Sequence, residues 1–212
     1  MTDAVALHGF FRSGASYRVR IALNLKGVAY SDVAHDLRKG EQKSAEYRAI
    51  NPQGFVPALE IDGATLTQSL AICEYLDEVH PEPALLPADP VLRAKVRAAA
   101  QVIACDTHPV QNLKVLARLR ALGHDEATVN GWAAQTIEDG FEAFDALIAD
   151  HAGRYCFGDT ATLADVMLVP QLVNARRFGA ELRWPRLLAI EAACLELDAF
   201  RRAMPESQPD AE

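Results

Sequence analysis

Arg12, Ser13 and Ser16 are the residues whose types and spacing most clearly allow chemistry. They fall within residues 11–20, Phe-Arg-Ser-Gly-Ala-Ser-Tyr-Arg-Val-Arg. An apolar run at 5–10 precedes them, and a segment of amphipathic pattern at 18–26 follows. A short strand therefore empties into a loop that opens a helix. Free backbone N–H groups and the positive end of the helix dipole collect at such a junction, and both favour anions, thiolates included. A guanidinium beside two hydroxyls there marks a place where negative charge is bound or created. The other residues able to do chemistry are scattered. The four cysteines, Cys73, Cys105, Cys156 and Cys194, form no CxxC pair, and the six histidines form no HxxxH. That usage fits free thiols in a reducing cytoplasm and predicts no bound metal.

The elements that must position the loop are legible around it. Strands are expected at 5–10 and 30–36, with helices at 17–26 and 43–50. Asn51-Pro52-Gln53-Gly54 then breaks the pattern. Apolar runs at 58–61 and 64–66 flank Asp62-Gly63, a dipeptide suited to a type I′ hairpin turn. A helix at 69–79 follows, with Ser69 a good N-cap by type. The order is βαβα followed by ββα. The first two strands should be parallel because a helix joins them, and the hairpin adds an antiparallel edge. Pro81, Pro83, Pro87 and Pro90 read as a linker. Beyond it strand signals vanish, and helices are expected at 91–105, 109–122, 127–149, 163–177 and 187–203. Thr162-Leu-Ala-Asp165 opens the fourth of these as a variant capping box. Residues 206–212 read as a frayed tail. The expected division is an α/β domain at 1–81, a linker at 82–90 and an all-α domain at 91–212. The net charge of −8 predicts no nucleic-acid partner, and no apolar run approaches membrane-spanning length.

This layout and an ordered set of motifs resemble the zeta-class glutathione transferases. The class loop Ser-Ser-Cys-x-Trp-Arg-Val-Arg-Ile-Ala-Leu has its counterpart in Ser13-Gly14-Ala15-Ser16-Tyr17-Arg18-Val19-Arg20-Ile21-Ala22-Leu23. Further matches are Asn51-Pro52-Gln53, Val56-Pro57, Gln68-Ser69, Gln111-Asn112, and Leu168-Val169-Pro170-Gln171 with Arg177-Phe178. The resemblance implies a thioredoxin-like first domain, an all-helical second domain, glutathione as cofactor and a homodimer.

It also implies roles for individual residues. Ser13 would donate to the glutathione sulfur, with Ser16 as a second donor and Arg12 beside them. Val56, before a cis Pro57, would pair with the cysteinyl backbone. Gln68 and Ser69 would meet the γ-glutamyl carboxylate, Gln53 the peptide, and Gln42 (with Lys39) the glycyl carboxylate. Gln111 would reach the glutathione of a partner subunit. Arg12, His108, Asn112 and Arg177 would contact a small dicarboxylate substrate. The activity implied is cis–trans isomerisation of maleylacetoacetate, in aromatic amino-acid breakdown, by reversible thiolate addition. A free thiol ionises near pH ~8.5, and lowering that by ~2 units takes roughly 2.7 kcal/mol of preferential thiolate stabilisation. Gly14 and Ala15 replace the class Ser-Cys, and the missing cysteine argues against reductive dehalogenation. The Arg-Ser-Gly run makes maleylpyruvate the alternative substrate, although Leu113 and Lys114 stand where that isomerase type carries arginines. General conjugation of α-halo acids and noncatalytic ligand binding are the broader alternatives. Retention of Arg12, Ser13, Val56-Pro57 and Gln68-Ser69 together argues against the last.

Overall fold

The computed structural model describes residues 5–211; the outermost ends of the two expected domains, 1–4 and 212, lie outside them. Two compact units result, residues 1–84 with 196–212 and residues 85–195. Residues 196–212 thus group with the first unit, although the helical pattern placed them in the second.

In the first unit, β1 (Ala6–Gly9) leads into α1 (Gly14–Leu25), then β2 (Ser31–Ala34), α2 (Ala45–Ile50), β3 (Ala58–Ile61), β4 (Ala64–Thr67) and α3 (Ser69–Val79). The sheet order is β2-β1-β3-β4. β1 and β2 are parallel, with Leu7 opposite Asp32, and β3 runs antiparallel to both β1 and β4. The hairpin turn has positive φ at Asp62 (51°) and Gly63 (72°), as a type I′ turn requires. β2 is exposed along its length, whereas Leu7, Leu59 and Ile61 are buried.

α1 departs from the amphipathic helix read in the sequence. It is buried nearly all round, and its cations lie inside. The Arg20 guanidinium donates to the carbonyls of Phe11 and Ala203, both at 3.0 Å. Burial pulls the Arg20 pKa down, opposed by the charges of Tyr30, Asp32, Asp210 and Tyr17. Lys26 Nζ, also buried, donates to Asp77 and to the carbonyl of Pro83, both at 2.6 Å. A buried cation is tolerated only when it is paired and hydrogen-bonded, so these contacts are what let α1 occupy the core.

The second unit is helical: α4 (Pro90–Gln101), α5 (Leu113–Ala121), α6 (Glu126–Ile148), α7 (Leu163–Phe178) and α8 (Pro185–Leu195). The expected helix at 91–105 becomes α4 continued by a π-helical stretch, Val102–Thr107, in which Thr107 Oγ1 donates to the carbonyl of Val102 at 2.8 Å. α6 lies so close to this stretch that a Cβ on Gly140 would fall 2.1 Å from Thr107 Oγ1. The expected helix at 109–122 starts only at Leu113, because Asn112 caps it and accepts from Lys114 N–H. The expected helix at 187–203 is two helices, α8 and α9 (Asp198–Ala203), and the break between them is where the chain passes from the second unit to the first.

α7 is the buried spine of the second unit. Asp165 at its start is fully buried and accepts Thr162 N–H at 2.7 Å, Thr162 Oγ1 at 2.8 Å and Cys156 N–H at 2.8 Å. The threonine hydroxyl donates to the aspartate here, and Asp165 N–H donates back to Thr162. Desolvation raises the Asp165 pKa, and these hydrogen bonds oppose it.

Candidate active site

Ser13 sits at the junction of β1 and α1 as the N-cap of α1. Its φ of −73° and ψ of 116° are extended, and its Oγ accepts Ser16 N–H at 3.2 Å. A hydroxyl used as an acceptor keeps its own proton to give, so capping the helix leaves Ser13 able to donate to an anion. Ser13 is half-buried and Arg12 exposed. The Arg12 side chain forms no hydrogen bond or ion pair with the described residues. Ser16 differs from its expected part. It is fully buried, its Oγ has no hydrogen-bond partner, and a Cβ on Gly9 would lie 3.2 Å from that oxygen. Its contribution at the surface of the loop is therefore the N–H that orients Ser13.

The second group of candidates is built by α2 and the loop after it. Ser44 caps α2 by accepting Tyr47 N–H at 3.1 Å. Tyr47 OH and Asn51 Nδ2 then both donate to the carbonyl of Phe55 at 2.7 Å. Burial pushes the Tyr47 phenol up to about 12, so it stays a donor across the physiological range. Phe55 immediately precedes Val56, and the Val56–Pro57 peptide is cis, as is Glu82–Pro83. Val56 packs with Phe10, Phe11 and Tyr47. Sequence reasoning missed Tyr47 and Asn51 as the residues that hold this loop. Asn51 in an Asn-Pro break was the available signal.

Gln53 and Gln68 meet: Gln68 Nε2 donates to Gln53 Oε1 at 2.7 Å. Gln68, not Ser69, holds the N-cap position of α3, with φ 69° and ψ 113°. A glutamine with positive φ costs of order 1–3 kcal/mol, and such outliers collect where a ligand is held. Ser69 is the first residue of α3, buried, and its Oγ accepts from the Arg18 guanidinium at 3.4 Å. A buried cation thus stands behind a helix N-terminus, and both favour a carboxylate in front. Gln42 Oε1 is buried without a hydrogen-bond partner. Lys39 lies 3.7 Å from Asp36 with its side chain largely exposed, the arrangement of a solvated ion pair. A separate groove of about 490 Å³, lined by Asn24, Tyr30, Asp32, Arg201 and others, contains none of these residues.

The second unit carries the remaining candidates. His108 is half-buried at the end of the π-helical stretch, and its N–H donates to the carbonyl of Ile103. Gln111 is only 3 % exposed. Asn112 spends its amide oxygen on the α5 cap. Arg176 and Arg177 are separated by their partners. Arg176 makes a paired contact with Glu191, at 2.6 Å through Nη1. Arg177 is exposed, its guanidinium 5.2 Å from the centre of the Phe178 ring. Phe178 itself packs onto Leu116, Val129 and Ala133, which anchors the end of α7.

A mixed four-stranded sheet with a strand-loop-helix junction, followed by a helical unit, is the layout of a glutathione transferase. The chain belongs to that family: residues 12–79 match its N-terminal domain and residues 115–192 its C-terminal domain. It is 52 % identical to maleylpyruvate isomerase of Ralstonia sp., over 97 % of this chain and 99 % of that one. It is 48 % identical to maleylacetoacetate isomerase of Pseudomonas aeruginosa, over 96 % and 97 %. Among solved structures it resembles a holo maleylpyruvate isomerase described as a bacterial zeta-class transferase (TM-score 0.95, 51 % identity, 98 % and 100 % covered). It also resembles maleylacetoacetate isomerase of Anaeromyxobacter dehalogenans with bound dicarboxyethyl glutathione and citrate (TM-score 0.89, 45 % identity, 99 % and 98 % covered).

Proposed function

We propose that this chain is a glutathione-dependent isomerase that converts maleylacetoacetate to fumarylacetoacetate. The observation that carries the reading is the Ser13 hydroxyl, fixed by Ser16 N–H at the start of α1 with its proton left to give. The residues present fit the cofactor. Arg18 stands behind the α3 N-terminus where a γ-glutamyl carboxylate would sit, and Gln53 is braced by Gln68. The buried Gln42 oxygen lacks a donor, and a peptide ligand could supply one. The 45 %-identical relative holding dicarboxyethyl glutathione supports the chemistry, because that molecule carries carbon–sulfur addition to a four-carbon dicarboxylate.

Bound glutathione supplies a thiolate that adds reversibly to a conjugated cis double bond, leaving a single bond that can turn before the thiolate departs. Ser13 and the α1 N-terminus hold the sulfur as the anion. Arg12 offers a guanidinium to a substrate carboxylate or to negative charge developing on the ketone oxygen. Ser69 and Gln68 hold the γ-glutamyl end, and Val56 offers backbone N–H and C=O to the cysteinyl residue. In the helical unit Arg177 is assigned to carboxylate binding, His108 and Asn112 to substrate contact, and Gln111 to the glutathione of a partner subunit in a homodimer. The proposed setting is the cytoplasm and aromatic amino-acid breakdown.

Maleylpyruvate is the second reading, favoured by the 52 %-identical relative of that name. Turnover of both substrates by purified protein, with and without glutathione, tests the assignment. The proposal expects glutathione-dependent conversion, faster with maleylacetoacetate. Faster conversion of maleylpyruvate transfers it to the second reading, and no conversion of either overturns both.

A further inference from the structure

The segment read as a frayed tail is folded onto the loop that carries Arg12 and Ser13. Asp210 Oδ2 accepts Phe11 N–H at 3.0 Å, across 199 residues of chain. The other backbone polar group of Phe11, its carbonyl, accepts the Arg20 guanidinium at 3.0 Å. Arg20 also holds the carbonyl of Ala203, and Gln208 Nε2 donates to the carbonyls of Arg202 and Met204 at 2.8 and 2.7 Å. Ala211 packs against the apolar cluster that Phe10, Phe11, Tyr47 and Val56 form. Ser13 N–H donates in turn to the carbonyl of Phe10 at 2.9 Å. The two residues before Arg12 are therefore tied to the tail by a carboxylate and an apolar contact, and to α1 by a buried guanidinium.

We propose that Asp210 is a positioning residue for the catalytic loop: its carboxylate fixes Phe11 N–H and so sets where Arg12 and the Ser13 hydroxyl point. The inference rests on the reading of Ser13 as the sulfur-facing hydroxyl. Phe11 N–H lies just outside α1, where no helical carbonyl is available to it. A buried or half-buried N–H without a partner is costly, so the loop must move or take up water when Asp210 is lost. Asp210 also adds negative charge near Arg20 and Asp32, the ionisable groups that face it from α1 and β2. Its hydrogen bond to Phe11 is the contact that reaches the loop.

The test compares the parent enzyme with Asp210→Ala and Asp210→Asn, which keeps a side-chain oxygen able to accept. Hydrogen exchange of the free enzyme over residues 10–14 reports the anchor directly. The pH midpoint of thiolate absorbance of bound glutathione reports its consequence for the sulfur. For Asp210→Ala, exchange of this loop should quicken on the order of tenfold, the thiolate midpoint should rise, and turnover should fall. Asp210→Asn should stay within about twofold of the parent in exchange and turnover. Unchanged exchange in Asp210→Ala overturns the proposal, as does equal loss in both variants, which would place the effect outside the hydrogen bond. If glutathione bound to the parent shows no dependence on Ser13, the sulfur assignment fails, while exchange still judges the anchor.

Discussion

Replacing Ser13 by alanine removes two interactions of different size, and the structure separates them. The first is the cap. Ser13 Oγ accepts Ser16 N–H at 3.2 Å, a long contact, so its loss should cost stability toward the lower end of the ~0.5–2 kcal/mol range for N-caps. The second is the hydrogen bond to sulfur. A bond to a charged acceptor is worth about 1.5–3 kcal/mol, or roughly one to two units of thiol ionisation. A thiol held near pH ~6.5 is about three-quarters thiolate at neutrality, and one released to ~8 is about one-tenth. Turnover at pH 7 should therefore fall on the order of tenfold, and recover in part as pH rises. Ser13→Asp distinguishes the two interactions, because aspartate caps a helix as well as serine but sets a negative charge against the sulfur. It should melt like the parent and yet lose thiolate more fully than Ser13→Ala. The assay is ultraviolet thiolate absorbance of bound glutathione against pH, alongside thermal melting. A Ser13→Ala midpoint within about 0.3 unit of the parent, equivalent to roughly 0.4 kcal/mol, would refute the reasoning.

Other perturbations follow from particular contacts. Arg177→Ala should raise KM for a dicarboxylate with glutathione affinity unchanged. Arg176→Ala should instead lower the melting temperature by removing the partner of the buried Glu191; equal effects of the two on KM would contradict this division. Gly140→Ala places a Cβ 2.1 Å from Thr107 Oγ1, so overpacking of about 1–3 kcal/mol should outweigh the ~1 kcal/mol that alanine gains in a helix. The double change with Thr107→Ala should recover stability in denaturant unfolding, and no recovery would place the strain elsewhere. His35 is held below its ordinary pKa by burial and then by His8, while Glu41 raises it. Below the usual histidine value the unfolded chain binds a proton that the folded chain resists, so stability should fall as pH drops through that window and be intact above it. His35→Gln, which retains a hydrogen-bonding group 3.0 Å from His8, should flatten melting temperature against pH over this range. An unchanged slope would assign the dependence to other groups.

The hairpin shows how much local sequence could carry. Asp62-Gly63 between two apolar runs dictated both turn type and register, because the φ preferences of two residues decide such a turn. The capping box of Thr162 and Asp165 was legible for the same reason, because caps act within three residues of chain, whereas the Asn112 cap was not, since the helix was expected from 109. α1 was not legible as it stands. Arg18, Arg20 and Lys26 look like a solvated stripe until Ser69, Phe11, Ala203, Asp77 and Pro83 are brought to them. The range of α3 was as expected, but its N-cap is Gln68 and not Ser69, because a positive φ at Gln68 is strain held by the surroundings, which no residue preference predicts.

By itself, then, the sequence determined the order of strands and helices, the anion-favouring junction at Arg12 and Ser13, and the resemblance that points to glutathione. Those features are written in local preferences and short spacings. Tertiary structure decided how deeply the polar groups lie and which of them pair: Ser16 and Gln111 are buried, and Arg176 is paired with Glu191. It also decided that residues 196–212 group with the first unit and that Asp210 meets Phe11. Burial and pairing are set by partners up to 199 residues away, and a chain read residue by residue contains no record of which distant group will arrive.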